Sequence, residues 1–198
     1  MWETSEKFLQ KDKYIAPLIK KWGHCTIKKS SKSKYFENIF ESITNQQLSG
    51  KAASTIFGRV KDLCKGKIEP NIVLKLSDIK LRSAGLSHQK IKYIKDLSTK
   101  VLKKELKILD LDSLQDEEVI TELVKVKGIG RWTAEMFLMF SLARPDIFPV
   151  DDLGIKKGFE KITGKKFDKE KSTKFALKNW SPYRTVASWY LWRSLENR

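Results

Sequence analysis

Residues 122–137 read "ELVKVKGIGRWTAEMF", and this stretch decides how the rest of the chain is interpreted. Two glycines, Gly128 and Gly130, separate two segments with helical spacing, and glycine adopts backbone conformations that other residues resist. The pattern predicts a helix that ends near Val126, a tight turn, and a second helix that starts near Arg131.

This turn allows two interpretations, an ordinary corner between packed helices or a phosphate-binding site. The first turn of a helix exposes free N–H groups at the positive end of the helix dipole, which favours an anion. Arg131, Lys125 and Lys127 surround the turn, and Lys51 joins them if the chain folds back on itself. The basic setting favours phosphate binding.

The whole chain is strongly basic, with 40 Lys and Arg against 24 Asp and Glu and a formal net charge of +16. Such an excess predicts a polyanionic partner, with nucleic acid the first candidate and an anionic membrane the second. The alternative is a lysine-rich surface that only solvates the protein. Hydrophobic residues make up 40% of the chain, enough for a folded core.

Several classes of protein are not expected. The two cysteines, Cys25 and Cys64, belong to no paired motif, which predicts a reduced intracellular protein without disulfides. Two cysteines and two scattered histidines also argue against a zinc or iron–sulfur site. No apolar run approaches the roughly 18–20 residues that span a bilayer, and the N-terminus lacks the apolar segment of a signal peptide.

Apolar residues recur at helical spacing along nearly the whole chain, which predicts an all-α fold of many short helices. Phe36, Ile39, Phe40 and Ile43, for example, share one helical face. The helix that begins at Arg131 is apolar almost all round, so we expect it to be buried. The predicted N-terminal ends of other helices are Ser49, Ser77, Ser87, Ser113, Asp151, Asp168 and Ser181.

The pattern predicts a single domain, residues 1–198, built from two helical lobes. The central lobe covers about residues 35–145 and contains the hairpin at 120–140. The second lobe combines about residues 1–34 with about residues 146–198. No Gly/Ser-rich linker and no internal repeat interrupts the chain.

A pair of adjacent acids follows the proline-containing loop in "ARPDIFPVDDLGIKKGF". Asp151 suits the N-cap of the next helix, and Asp152 would lie in its first turn, ionised by the helix dipole. In a protein that meets DNA, a fixed carboxylate beside a phosphate-binding turn repels the ligand unless it does chemistry. Asp152 is therefore the candidate catalytic residue.

Six tryptophans are many for 198 residues, and core packing explains most of them. Trp132, however, follows the phosphate turn directly. A ring exposed there would stack on a base removed from the DNA duplex.

Five ordered motifs resemble a known family. The stretch "LVKVKGIGRWTA" resembles the helix–hairpin–helix, and "RPDIFPVDD" the Gly/Pro-rich loop ending in aspartate, of the helix–hairpin–helix–GPD DNA glycosylase superfamily. Three more stretches resemble its 3-methyladenine DNA glycosylase II branch: "FENIFESITNQQLSGKAA", "LRSAGLSHQKIKYIKDLS" and "WSPYRTVASWYLWR". The motifs span about residues 36–194. The chain is similar to the compact form, without the N-terminal β-rich domain of the larger bacterial enzymes.

The resemblance implies a DNA- and base-binding cleft between the two lobes. Asp152 falls on the catalytic aspartate of the family and Asp151 on its capping position. Trp132 and Trp192 fall on aromatic positions of the base pocket. Met136 and Leu153 also fall on pocket positions, which are aromatic in the larger bacterial enzyme, so this chain has fewer rings for stacking there.

The resemblance also implies DNA contacts. Gln47 falls on the residue that wedges into the gap left by the flipped nucleotide. The hairpin amides bind a backbone phosphate, and its carbonyl oxygens hold a structural monovalent cation, Na⁺ or K⁺; no catalytic cofactor is expected. The cation positions are Val124, Val126 and Ile129. The other expected DNA-binding residues are Ser49, Lys51, Lys127, Gly128, Ile129, Gly130 and Arg131.

The bifunctional glycosylase/lyase members carry a lysine nucleophile where this chain has Trp132, so strand cleavage by that route is not expected. The resulting hypothesis is a monofunctional DNA glycosylase for alkylated purines in base excision repair, with 3-methyladenine, 7-methylguanine and related bases as substrates. We expect a monomer acting on double-stranded DNA, in the nucleoid of a prokaryote or the nucleus of a eukaryote. The alternatives are a related glycosylase for deaminated or oxidised bases, and a non-catalytic module that binds damaged DNA.

Overall fold

The computed structural model describes residues 2–196, and this part of the chain contains helices and no strand. The all-α prediction is confirmed. The α-helices are α1 Glu3–Leu9, α2 Ala16–Trp22, α3 Tyr35–Asn45, α4 Gly50–Leu63, α5 Pro70–Lys75, α6 Asp78–Ser83, α7 His88–Leu102, α8 Asp116–Leu123, α9 Arg131–Phe140, α10 Leu153–Thr163, α11 Lys169–Trp180 and α12 Arg184–Ser194. Short 3-10 helices cover Lys32–Lys34 and Ile108–Ser113. Within the described residues, no helix is both long enough and apolar enough to cross a bilayer.

The chain divides into two compact units. One comprises Ser30–Phe137, and the other combines the described residues up to Lys29 with those from Leu138 onward. The sequence pattern predicted these boundaries near residues 35 and 145. We call the two parts the hairpin unit and the terminal unit.

In the hairpin unit, α7 packs against α3, α5 and α6, and α3 packs against α4. The predicted face of α3 is buried, since Phe40 and Ile43 have no exposed surface and Ile39 retains 2%. Ile91 and Ile94 bury one face of α7 in the same way. Because α7 has three helical neighbours, it is the central helix of this unit.

In the terminal unit, α12 packs against α1, α2, α10 and α11. The core around it is aromatic. Trp180 is fully buried, and its ring lies 5.4 to 6.1 Å from the rings of Phe148, Phe159 and Phe175. Most of the tryptophans are thus core residues, as expected from their size.

Helix α9 is buried along most of its length, as its composition predicted. Ala134 and Leu138 have no exposed surface, but Trp132 and Phe140 are 41% and 42% exposed. The expected buried helix is confirmed, and the exposed side chains lie at its two ends. Composition could not distinguish an apolar side chain that meets the core from one that meets solvent.

Three of the predicted N-caps are confirmed, since the side chains of Ser77, Ser87 and Asp168 each accept a backbone N–H three residues on. Ser49 occupies the N-cap position of α4 without a side-chain hydrogen bond.

Two other predicted caps are wrong. Ser113 lies in a 3-10 helix, and α8 is capped by Gln115, which forms a reciprocal capping box with Glu118. That arrangement satisfies two free N–H groups instead of one. Ser181 ends α11 and donates its hydroxyl to the carboxylate of Asp146 at 2.8 Å, whereas α12 begins only at Arg184, with Tyr183 at its N-cap.

The loop between α9 and α10 is fixed to the start of α12. Arg184 donates from Nε and Nη2 to the two carboxylate oxygens of Asp146, at 2.7 and 3.0 Å. The Thr185 hydroxyl donates to the Arg144 carbonyl at 2.6 Å and accepts the Ile147 N–H at 2.9 Å. Burial raises the pKa of Asp146, but the hydrogen bonds from Arg184 and Ser181 outweigh it and leave that pKa below its ordinary value.

Replacing Asp146 by Asn should lower the free energy of unfolding by about 1–3 kcal/mol at neutral pH, because a charge-assisted network is lost. Since folding lowers the pKa of Asp146, its stabilisation is present above the ordinary value of 3.8 and is lost as pH falls through the lower folded value. Denaturant unfolding from pH 7 to pH 2 should show the difference between wild type and Asp146→Asn shrinking at the acidic end. The matched control is Glu170→Gln, which removes an exposed ion pair with Lys174 and should change little. An unchanged difference at pH 2 would contradict this account.

Candidate functional site

Asp152 is the N-cap of α10, which corrects the prediction that Asp151 has this role. Its Oδ1 accepts the N–H of Ile155 at 2.8 Å. The Asp152 N–H donates to the carbonyl of Pro149 at 2.9 Å, so a turn that begins at the proline delivers the second acid of the pair to the cap. The sequence pattern alone could not settle which of two adjacent acids the turn would place there.

Asp151 has a different environment. Its carboxylate is exposed and pairs with the ammonium of Lys169 at 2.8 Å. Both side chains are more than half exposed, so this pair contributes little to stability. The two adjacent acids therefore have separate roles, one at the surface and one at the start of α10.

A second donor fixes the same oxygen of Asp152. The indole N–H of Trp192, on α12, donates to Oδ1 at 2.8 Å. Gly154 makes room for this contact, because a Cβ at that position would lie 2.6 Å from the indole Cδ1 and 3.1 Å from Asp152 Oδ1. Two N–H groups from different helices thus orient one carboxylate.

Phe140 adds an aromatic surface to this cluster. Its ring centroid lies 5.7 Å from that of Trp192, with an angle of 32° between the planes. Sequence reasoning missed Phe140 and Gly154. The spacing of Trp132, Met136 and Phe140, each four residues apart on α9, was a signal that could have identified the phenylalanine.

The terminal unit therefore brings together Asp152, Trp192 and Phe140, which we call the carboxylate–aromatic cluster. Leu153 is next to Asp152 in the chain and is 64% exposed. Trp132 and Met136 belong to the hairpin unit. The pocket roles of these last three residues stay predictions. An oriented carboxylate beside aromatic rings suits a flat cation, or a centre on which positive charge develops.

In the hairpin unit, the turn of "KGIG" has a closely determined shape. Gly128 has a φ of +81°, and its carbonyl accepts the side-chain N–H of Gln46 at 2.9 Å. A Cβ on Gly128 would lie 2.1 Å from the ring of Tyr93, whereas nothing lies within 4 Å of one on Gly130. Gly128 therefore has no room for a side chain, whereas Gly130 has room for one.

The predicted basic contacts around the hairpin differ in availability. Lys127 is 71% exposed, and its backbone N–H donates to Asp96 Oδ2 at 2.9 Å. Lys51 and Ser49 are exposed at the start of α4, where they line an open pocket with a volume of 410 Å³. Gln47 is exposed, with a φ of +58°.

Arg131 already has acidic partners. Its guanidinium donates through two nitrogens to the carboxylate of Glu117 and through Nε to Glu135 at 3.1 Å. The hydrogen bond from Arg131 lowers the pKa of Glu117. These three bonds leave two of the five guanidinium N–H groups, so a phosphate bound by Arg131 would share it with the two carboxylates.

The expected cation ligands are backbone carbonyls of the hairpin. The Val126 carbonyl accepts the Ile129 N–H at 3.1 Å and retains a second lone pair. Carbonyl oxygens are hard ligands, of the kind that bind alkali cations. Among residues 2–196, no cluster of three or more His, Cys, Asp or Glu side chains could hold a metal ion. The cation at Val124, Val126 and Ile129 stays a prediction.

Comparison with known proteins shows the family to which the chain belongs. Residues 40–182 match the model of the HhH-GPD superfamily base excision DNA repair protein. The DNA-3-methyladenine glycosylase of Saccharomyces cerevisiae is 33% identical, in a match covering 95% of this chain and 77% of that protein.

Two solved structures are similar over nearly the whole chain. The DNA-3-methyladenine glycosidase of Bacillus halodurans has a TM-score of 0.84 at 36% identity, covering 97% of this chain and 88% of that one. The 3-methyladenine DNA glycosylase Mag1 of Schizosaccharomyces pombe, solved in complex with abasic DNA, has a TM-score of 0.83 at 32% identity, covering 96% and 95%. The chain belongs to the HhH-GPD superfamily.

Gly128→Ala should destabilise the protein, because alanine at a left-handed φ costs about 1–2 kcal/mol and the new methyl group would overlap the Tyr93 ring. Gly130→Ala is the matched control, since it adds the same methyl group two residues away where no atom opposes it. Denaturant unfolding of both variants measures the difference. Equal stability of the two variants would contradict the distinct roles assigned to the glycines.

Proposed function

We propose that this protein is a monofunctional DNA glycosylase that releases alkylated purines, 3-methyladenine first and 7-methylguanine with it, by hydrolysis of the N-glycosidic bond. The observation that carries the proposal is the Asp152 carboxylate, oriented by the Ile155 amide and the Trp192 indole beside an aromatic ring. The relatives named as 3-methyladenine glycosylases support the substrate class.

DNA is the ligand that the charge and the hairpin favour. The net charge of +16 attracts phosphates, and Lys51 and Lys127, which we expect to contact the DNA backbone, are exposed. A similar protein was solved in complex with abasic DNA, which supports the same partner here. We propose that the protein acts as a monomer on double-stranded DNA in the nucleoid or nucleus, and that hairpin carbonyls hold a structural Na⁺ or K⁺.

The chemistry begins with removal of the damaged nucleotide from the duplex stack. A purine alkylated at N3 or N7 carries a positive charge, so it stacks well on the ring of Trp192 and leaves readily. As the bond from C1′ to the base nitrogen breaks, its electron pair goes to the base and positive charge develops on the sugar. Asp152 stabilises this charge and orients the water that adds to C1′, and the proton of that water passes to the carboxylate or to solvent.

Hydrolysis leaves an abasic site in an intact strand. The resemblance places Trp132 where bifunctional relatives have a lysine, and an indole cannot form a Schiff base with the sugar. The reaction therefore stops after base release.

Asp152→Asn should lower the single-turnover rate of 3-methyladenine release from methylated DNA on the order of 100-fold or more, since the negative charge is lost. Asparagine is also a good N-cap, so α10 should persist. Asp151→Asn removes the same charge from the adjacent residue, which pairs with Lys169 at the surface, and should stay within about threefold of wild type.

Equal rates for wild type and Asp152→Asn would remove Asp152 from the mechanism. A panel of lesion duplexes extends the assay to the alternatives. Release of only deaminated or oxidised bases would favour another glycosylase specificity, and tight lesion binding without base release would favour a binding module.

Absence of lyase activity has a separate test. A strand labelled at its 5′ end and processed by the wild-type enzyme should remain intact until alkali is added, and borohydride should trap no protein–DNA adduct. A bifunctional glycosylase run in parallel verifies that trapping works. A trapped adduct would show that an amine elsewhere in the chain attacks C1′.

A further inference from the structure

One face of α7 contacts both loops that we expect to meet DNA. Lys90, Tyr93 and Asp96 are spaced three residues apart on this helix, so they lie along one side of it. Tyr93 lies against Gly128 of the hairpin, and Asp96 accepts the N–H of Lys127. The third residue, Lys90, contacts the other loop.

Lys90 binds the end of α3, where the loop with Gln47 begins. Its ammonium donates to the carbonyls of Thr44 and Gln46, each at 2.7 Å. Carbonyls at a helix C-terminus lack partners within the helix, and a cation there also meets the negative end of the dipole. Lys90 is partly buried, and this burial lowers the pKa of its ammonium. A surface lysine meant for a phosphate would point outward instead.

The two loops are also joined directly. The side-chain N–H of Gln46 donates to the Gly128 carbonyl at 2.9 Å, while the Gln46 carbonyl accepts from Lys90. Gln47, the next residue, has a φ of +58°, which costs free energy for a residue with a side chain. Such a conformation persists only where neighbouring contacts hold it, and Lys90 and Gln46 supply those contacts.

We infer that Lys90 is a positioning residue that holds Gln47 at a set distance and angle from the phosphate-binding hairpin. This inference rests on the proposed function, in which Gln47 fills the gap left by the flipped nucleotide. Gln47 and the phosphate-binding hairpin act on the same duplex. An error in the distance between them therefore weakens base flipping without weakening phosphate binding by the hairpin. Lys90 therefore serves base flipping and does not itself contact DNA.

The test is a double-mutant cycle between Lys90→Met and Gln47→Ala. Single-turnover base release should fall about tenfold in each single variant, and Lys90→Met should cost less than about twofold more when Gln47 is already Ala. Fluorescence of a 2-aminopurine next to the lesion should report reduced flipping. Affinity for an undamaged duplex should stay within about threefold of wild type, because the hairpin dominates it.

Two further variants separate the position of the Lys90 ammonium from the loss of one positive charge. Lys92→Met removes a lysine from an exposed position on the same helix and should leave release within about twofold of wild type. Lys90→Arg should restore most of the rate, since a guanidinium also donates to two carbonyls. If Lys90→Met fails to fold, Lys90→Gln, whose shorter side chain cannot reach both carbonyls, replaces it in the same cycle.

The outcomes separate the inference from the proposed function. Two outcomes would overturn the positioning role of Lys90 without affecting the proposed glycosylase function. One is a double variant whose loss of release rate equals the product of the two single losses, and the other is a large loss of affinity for undamaged DNA. Full activity of Gln47→Ala would overturn the wedge and the inference with it. Failure of wild type to release any alkylated base would overturn the proposed function itself.

Discussion

The position of the Asp152 carboxylate depends on contact between α10 and α12. One of its donors is a backbone amide of α10, and the other is the indole of Trp192 on α12. The proline-containing loop that leads to Asp152 is held by Arg184, also on α12, through Asp146. A single helix therefore fixes both the carboxylate that we propose as catalytic and the segment that leads to it, and a shift of α12 would disturb both together.

In the hairpin unit, α7 has the corresponding role, because it fixes the positions of two loops. Three side chains of α7 hold the hairpin and the end of α3, and Gln46 joins the two loops to each other. These contacts are hydrogen bonds to backbone atoms, or a ring against a glycine. The hydrogen bonds specify loop geometry more strictly than apolar packing does, because they depend on direction as well as distance.

The helical class and most helix positions could be predicted from the sequence, because burial follows the 3.6-residue period, as at Phe40 and Ile43. The pair of acids after the proline-containing loop singled out Asp152 as the candidate catalytic residue, and the family resemblance pointed to the same position. The cap of α10 and the exposure of Phe140 could not be predicted, since they depend on where a turn ends and on which helices lie nearby. The sequence pattern also made Gly128 and Gly130 look equivalent, although only the first has a positive φ and an opposing ring. Hydrogen bonds between distant residues, such as that from Lys90 to Thr44, leave no periodic signal.

The hydroxyl of Tyr190 lies within hydrogen-bonding distance of the buried carboxylate of Glu6, a residue 184 positions earlier, and of the carbonyl of Gly23. The terminal unit thus needs both early and late segments of the chain, whereas the hairpin unit is one continuous stretch. During synthesis the hairpin unit can fold while α12 is still inside the ribosome. The surface that we propose for DNA binding can then form before Trp192 is in place to orient Asp152.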